Sequence, residues 1–215
     1  MPFNGNAPQP VGMAIEINIP PNCRVLIIEG ISGSGKNTFQ KYLREKLDGS
    51  HLKPHDYSEG EVLHSWKHLQ IKGIFKVRIK FMKLFVNHVK DVLSQDEKAV
   101  FLLNRFHLST YVSTIIQEPK LKDEYDAIIN VLRTLPAHVF ILKLDEYDIE
   151  KRSLHSERCD TWREHQEEIV KLEGFRDRLE RYLWQQALIL DLAKRQQIPY
   201  SVITFSGPYE NWSCK

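Results

Sequence analysis

A doubly wound α/β domain built on a parallel sheet is the fold class this sequence predicts, on three observations. Short β-branched runs recur along the chain, segments of helical length separate them, and a glycine-rich loop stands directly after the first run. Residues 1–22 are rich in Pro, Asn and Gly and read as a tail, apart from an alternating segment, Ala14–Ile19, that fits an edge strand. Residues 23–215 then form the domain. Arg24–Ile28 is short and apolar enough for a buried strand, Lys36–Leu47 reads as a helix, and a strand candidate follows around His51–Tyr57. Helical periodicity runs over Glu61–Ile71 and again over Ile74–Leu93, with Gly73 as the break. Val100–Leu103 and Val139–Leu144 are further strands, with helical Leu121–Leu135 between them. Trp162–Arg195 is long enough for one helix or a pair, and Tyr200–Phe205 closes the sheet. Strands joined by helix-length segments pair in parallel and carry helices on both faces, which gives three layers, α/β/α.

Bulk properties narrow the function classes. At 215 residues the chain suits one full-sized domain. It contains no apolar run near the ~20 residues of a membrane helix and opens on no secretory pattern, so a cytoplasmic protein with no membrane partner is expected. Cys23, Cys159 and Cys214 are few and far apart, which argues against a disulfide framework and a clustered metal site. The formal net charge is +2, yet residues 62–90 contain no Asp or Glu while carrying Lys67, Lys72, Lys76, Arg78, Lys80, Lys83 and Lys90. Such a stretch is either the solvated face of an amphipathic helix or a surface turned toward an anionic substrate.

The strongest signal is Gly30-Ile31-Ser32-Gly33-Ser34-Gly35-Lys36-Asn37-Thr38. Gly30, Gly35 and Lys36 fill their places in G-x-x-x-x-G-K, and the loop lies between a strand and a helix, the context that makes it a phosphate-binding P-loop. Glycines let the backbone of Ser32, Gly33 and Ser34 wrap a triphosphate, here expected to be ATP, with N–H groups pointing inward and the helix amino end adding positive potential. Lys36 would reach the β- and γ-phosphates. Asn37 stands where a magnesium-ligating hydroxyl is expected, and Thr38 follows one place late. An amide oxygen still binds a hard cation, so Asn37 is the metal candidate.

With these residues in hand, Ile28–Gln40 resembles the start of thymidylate kinases and, nearly as well, of deoxynucleoside kinases. Asn104-Arg105-Phe106-His107-Leu108-Ser109-Thr110-Tyr111 is similar to the Asp-Arg-Tyr-x-x-Ser segment of the former and the Glu-Arg-Ser segment of the latter. The layout matches over Arg24–Phe205, while residue-level agreement is confined to the two motifs. The resemblance implies ATP and Mg2+ as cofactors, and it implies that Arg105 contacts the transferring or accepting phosphate. It also implies an arginine-bearing lid supplied by Arg152, Arg158 and Arg163, an adenine-contacting loop at Ser206–Tyr209, and a small-molecule nucleoside or nucleotide acceptor. A homodimer through an apolar helix such as Ile74–Leu93 would follow from the same resemblance, although core packing explains that helix equally well.

The acceptor stays open. Asn104 replaces a family carboxylate and cannot take a proton, which suits an already ionised monophosphate better than an alcohol. Against that, Asp56–Glu61 holds no arginine to grip an acceptor phosphate, while Glu61 and Trp66 reproduce the base-and-tryptophan spacing of deoxynucleoside kinases. On that reading Glu61 takes the hydroxyl proton, with Glu59 as the alternative base, and Tyr57, Trp66 and Asn104 contact the acceptor. On the other, His64 and Lys67 stand in for the arginine. A nucleic-acid 5′ end or another phosphorylated metabolite is a further acceptor that the basic stretch suggests. With amides at both 37 and 104, a regulatory module that binds a triphosphate without transferring it is the non-enzymatic reading.

Overall fold

A computed structural model describes residues 17–58, 61, 73–154 and 160–205. Five strands form one sheet: β1 (Val25–Glu29), β2 (Lys53–Tyr57), β3 (Ala99–Asn104), β4 (Ala137–Leu144) and β5 (Tyr200–Phe205). Their spatial order is β2-β3-β1-β4-β5, and every pairing is parallel. The connections carry α1 (Lys36–Asp48), α2 (Ile74–Gln95), α3 (His107–Thr110), α4 (Lys122–Arg133), α5 (Glu146–Ile149), α6 (Asp160–Leu172) and α7 (Arg178–Gln196). The long segment Trp162–Arg195 is thus a pair of helices, α6 and α7. The expected edge strand is absent where it is described: Ile17–Ile19 joins no strand, and Ile17 and Ile19 instead pack on the core beside α1. The expected helix over Glu61–Ile71 lies outside the described residues apart from Glu61.

Alternation along the strands explains the layering. In β1, Leu26 and Ile28 face α1 with Phe39, Leu43 and Phe140, while Val25 and Ile27 face α2, α4 and α7 with Ile79, Met82, Ile128 and Ile189. Both faces are covered, so β1 is buried throughout and reads as an unbroken apolar run up to Glu29. The apolar stripe of α2 goes into this core through Ile79, Met82, Phe85, Val86, Val89 and Leu93. Its Lys76, Lys80, Lys83 and Lys90 are exposed on the opposite side, the solvated face that helical periodicity demands. Among the described residues no helix is long and apolar enough to cross a membrane.

The strand order reverses direction at β1, because β3 and β4 flank it. In such sheets ligands bind outside the carboxyl ends of the strands at that reversal, which is where the glycine loop leaves β1.

Candidate active site

Steric necessity fixes the loop. Gly30 has φ +146°, and a Cβ there would stand 2.7 Å from both the Leu142 carbonyl oxygen and Ser34 Oγ, so only hydrogen fits. Gly33, at φ +79°, would bring a Cβ within 2.8 Å of Ser153 Oγ and 3.2 Å of the Arg152 carbonyl oxygen. Gly35 caps α1 in the left-handed conformation, and no acidic residue occupies the first turn of that helix, so its positive amino end is uncompensated. Lys36 folds back over the loop: Nζ donates to the Ile31 carbonyl at 2.6 Å and reaches Ser34 Oγ at 3.4 Å. A phosphate entering the loop offers this buried ammonium a charged acceptor in exchange for a neutral one.

Arg105 is brought beside the loop by sheet register. Ile28 pairs with Asn104, and the Arg105 N–H donates to the Ile28 carbonyl at 3.0 Å, two residues before Gly30. Its φ of +65° is a left-handed conformation held against the preference of a side-chain-bearing residue. Glu29 supplies the restraint. Fully buried at the end of β1, its carboxylate accepts the N–H groups of Phe106 at 3.0 Å, Leu108 at 3.0 Å and Ser109 at 3.4 Å, and the Ser109 hydroxyl as well. Burial pushes the Glu29 carboxyl above the usual carboxylate range, while the Ser109 hydroxyl, the Phe106 N–H and the Arg105 charge pull it back. All its partners donate, so the pocket fits the ionised form. Sequence reasoning passed over Glu29, although a carboxylate ending an apolar buried strand is signal enough: such a charge requires donors.

The segment after β4 closes over the loop. A π-helical turn, Glu150–Leu154, follows α5 and places the Ser153 hydroxyl on the Ser32 carbonyl at 2.6 Å, beside Gly33. Arg152 is 8% exposed, with Nε 3.6 Å from Asp148. Of the other expected lid arginines, Arg158 and the side chain of Arg163 lie outside the described residues, although position 163 falls on α6. Gln186 on α7 anchors the end of β4 by exchanging two hydrogen bonds with the Leu144 backbone, at 2.8 and 2.7 Å.

On the acceptor side the structure separates the candidates. Tyr57 packs edge-on to Phe85 at 4.9 Å between centroids and stacks on Phe101 at 6.1 Å, so much of its ring belongs to the core. Glu61 is exposed and accepts from the Ser58 N–H at 2.6 Å and the Ser58 hydroxyl at 2.7 Å. Those two bonds hold its pKa below the ordinary value, the wrong direction for a general base. Glu59, His64, Trp66, Lys67 and the Ser206–Tyr209 loop lie outside the described residues.

Arg78 is a second residue that sequence reasoning left in the background. It is 8% exposed on the inner face of α2, and its guanidinium donates to Thr114 Oγ1 at 2.9 Å and reaches Ser113 Oγ at 3.4 Å. Both hydroxyls belong to a π-helical turn, Tyr111–Ile115, that continues from α3. Its Nε is buried without a hydrogen-bond partner among the described residues, and burial lowers its pKa. A buried cation that, among the described residues, hydrogen-bonds hydroxyls, beside the segment that carries Arg105, can meet a polar or anionic group. Its phase with Met82 and Phe85 was readable in the sequence and marks it as inward-facing.

The two positions expected to flank magnesium, Asn37 and Asn104, meet each other. Asn104 Nδ2 donates to Asn37 Oδ1 at 2.7 Å and to Gln40 Oε1 at 3.0 Å, so three neutral amides interlock where a hydroxyl and a carboxylate are expected. Magnesium favours charged oxygen ligands in rigid octahedral geometry, and these three side chains offer none, although Asn104 Oδ1 is buried without a hydrogen-bond partner among the described residues. Among the described residues no three His, Cys, Asp or Glu side chains gather as metal ligands.

No family model and no curated protein sequence matches the chain. Solved structures do. Thymidylate kinase from Ehrlichia chaffeensis superposes with a TM-score of 0.53 at 19% identity, over 88% of this chain and 90% of that one. Thymidylate kinase from Candida albicans gives 0.53 at 16% identity, over 86% and 85%. YorR of Bacillus subtilis, solved in complex with phosphorylated GDP, gives 0.50 at 14% identity, over 84% and 85%. Together with the all-parallel sheet, these likenesses establish that the chain shares the fold of thymidylate kinases.

Proposed function

We propose that this protein transfers the γ-phosphoryl group of ATP to the phosphate of a nucleoside monophosphate. The juxtaposition that carries the reading is Arg105, fixed by register and by Glu29, beside a P-loop whose lysine is buried and poised. In this reading the loop N–H groups and Lys36 hold the donor phosphates, and Arg105 neutralises charge on the γ-phosphoryl group and the incoming oxygen. Arg152 and the rest of the lid exclude water. The acceptor oxygen attacks the γ-phosphorus in line as the bond to the β–γ bridging oxygen breaks, releasing ADP. An acceptor monophosphate, with a second pKa near ~6, is already ionised and needs no base. The engaged, low-pKa Glu61 supports that acceptor over an alcohol. A metal ion would travel on the triphosphate itself, held by phosphate and water.

The test is ATP turnover against a panel of nucleosides and their 5′-monophosphates, with mass detection of the product. Phosphorylation of a monophosphate, lost in Lys36→Ala, is the expected result. Transfer to nucleosides alone would overturn the acceptor assignment and return Glu61 to consideration. The amide cluster favours one second reading, a triphosphate-binding module without transfer, and ATP binding with no product across the panel would select it.

A further inference from the structure

From the interlocked amides we infer that this chain adds no ligand to a magnesium ion carried by its triphosphate, so that magnesium does not tighten ATP binding. The inference rests on the P-loop reading above and concerns the same site. Asn37 opens α1 directly after Lys36, Gln40 lies one turn further along, and Asn104 ends β3, 2% exposed. Asn104 spends both of its N–H bonds on the other two side chains, at 2.7 and 3.0 Å. Turning all three amides over exchanges donors and acceptors but leaves the cluster neutral and interlocked. Neither arrangement offers an anionic oxygen, and Glu29, the carboxylate that ends β1 before the loop, has both oxygens taken by Phe106, Leu108 and Ser109.

The sign of the effect follows from charge. Where a protein ligates the metal, the metal bridges protein and phosphates and raises affinity. Where it does not, the metal only cancels phosphate charge that the cations would otherwise meet. Here those cations are Lys36, buried over the loop, and the uncompensated amino end of α1, with Arg105 adjoining. Neutral amides in place of the ligands therefore leave magnesium neutral or mildly unfavourable for binding.

Calorimetric titration of the full chain with ATP, in excess magnesium and again in EDTA, tests this without reference to turnover. The expected affinities agree within about threefold, or favour EDTA; magnesium tightening beyond that overturns the inference. Asn37→Ser with Asn104→Asp restores a hydroxyl and a carboxylate, and should make magnesium tighten binding by about tenfold or more. A double variant as indifferent to magnesium as the parent would show that the amides are not the cause. Because Asn104 is buried and a carboxylate there threatens folding, Asn37→Ser alone, at an exposed position, should shift the ratio in the same direction. No ATP binding in either medium would sink the P-loop reading and this inference with it, a result distinct from binding that prefers magnesium.

Discussion

Glu29 shows how much one residue carries when it is buried with its charge. It lies one position before the glycine loop and holds the backbone of a segment nearly eighty residues downstream, at Phe106, Leu108 and Ser109. The strain of Arg105 at φ +65° is offset by these bonds and by its own N–H to Ile28. Glu29→Ala would strand buried N–H groups and is expected to cost on the order of 3 kcal/mol of stability, since each orphaned donor costs about 1–3 kcal/mol. Glu29→Gln keeps an acceptor oxygen for the same N–H groups and should lose less than half as much. Denaturant melts of the two variants check the ordering, and equal losses would show that charge rather than acceptance is what matters. Arg78 makes the complementary point: among the cations of residues 62–90, helical phase sends it inward while Lys76, Lys80 and Lys83 stay in water.

At the scale of elements, the loop and the lid are one assembly. The turn Glu150–Leu154 rests its Ser153 on Ser32 and against Gly33, and Ile31 packs with Leu144, Ile149 and Tyr182 behind it. Gly33→Ala would drive a methyl into Ser153 while forcing a side chain to φ +79°. Separating loop from lid in this way should weaken ATP binding by at least about tenfold, ~1.4 kcal/mol. A titration that found unchanged affinity would show that the lid contact is dispensable for the donor. Among the described residues the central strands and the longer helices were legible to within a few residues, because burial on both faces leaves apolar runs and helices carry their period. The Ala14–Ile19 segment alternates like a strand, yet its described part finds its partners in core side chains rather than in a sheet edge.

The whole molecule pays for its compactness in acid, through His107 on α3. That imidazole is 1% exposed, its Nδ1 has no hydrogen-bond partner among the described residues, and desolvation pushes its pKa down to about 3. Between the unfolded value near ~6.5 and about 3, the unfolded chain binds a proton that the folded chain refuses, so stability rises with pH across that window. Lowering the pH through it should cost up to ~1.4 kcal/mol per unit from this group. His107→Leu removes the proton-binding difference, and its urea midpoint should fall less between pH 7 and pH 5 than that of the parent chain. Parallel losses in both proteins would assign the acid sensitivity elsewhere.

Sequence alone determined the features that are local in the chain. Gly30 and Gly35 specify a tight loop between the first strand and the first helix, with the spacing of a P-loop, and alternation with helical spacing specified a parallel α/β sheet. The second motif was legible as a segment, Asn104–Tyr111, without its partners. Only the tertiary structure decided what those residues meet. It joined Asn104 to Asn37 across 67 positions and Glu29 to Ser109 across 80, turned Arg78 toward Thr114, and gave Glu61 to Ser58 rather than leaving it free. The reason is that such pairings depend on strand register and helix phase, which side chains far apart in sequence set together and no local pattern records.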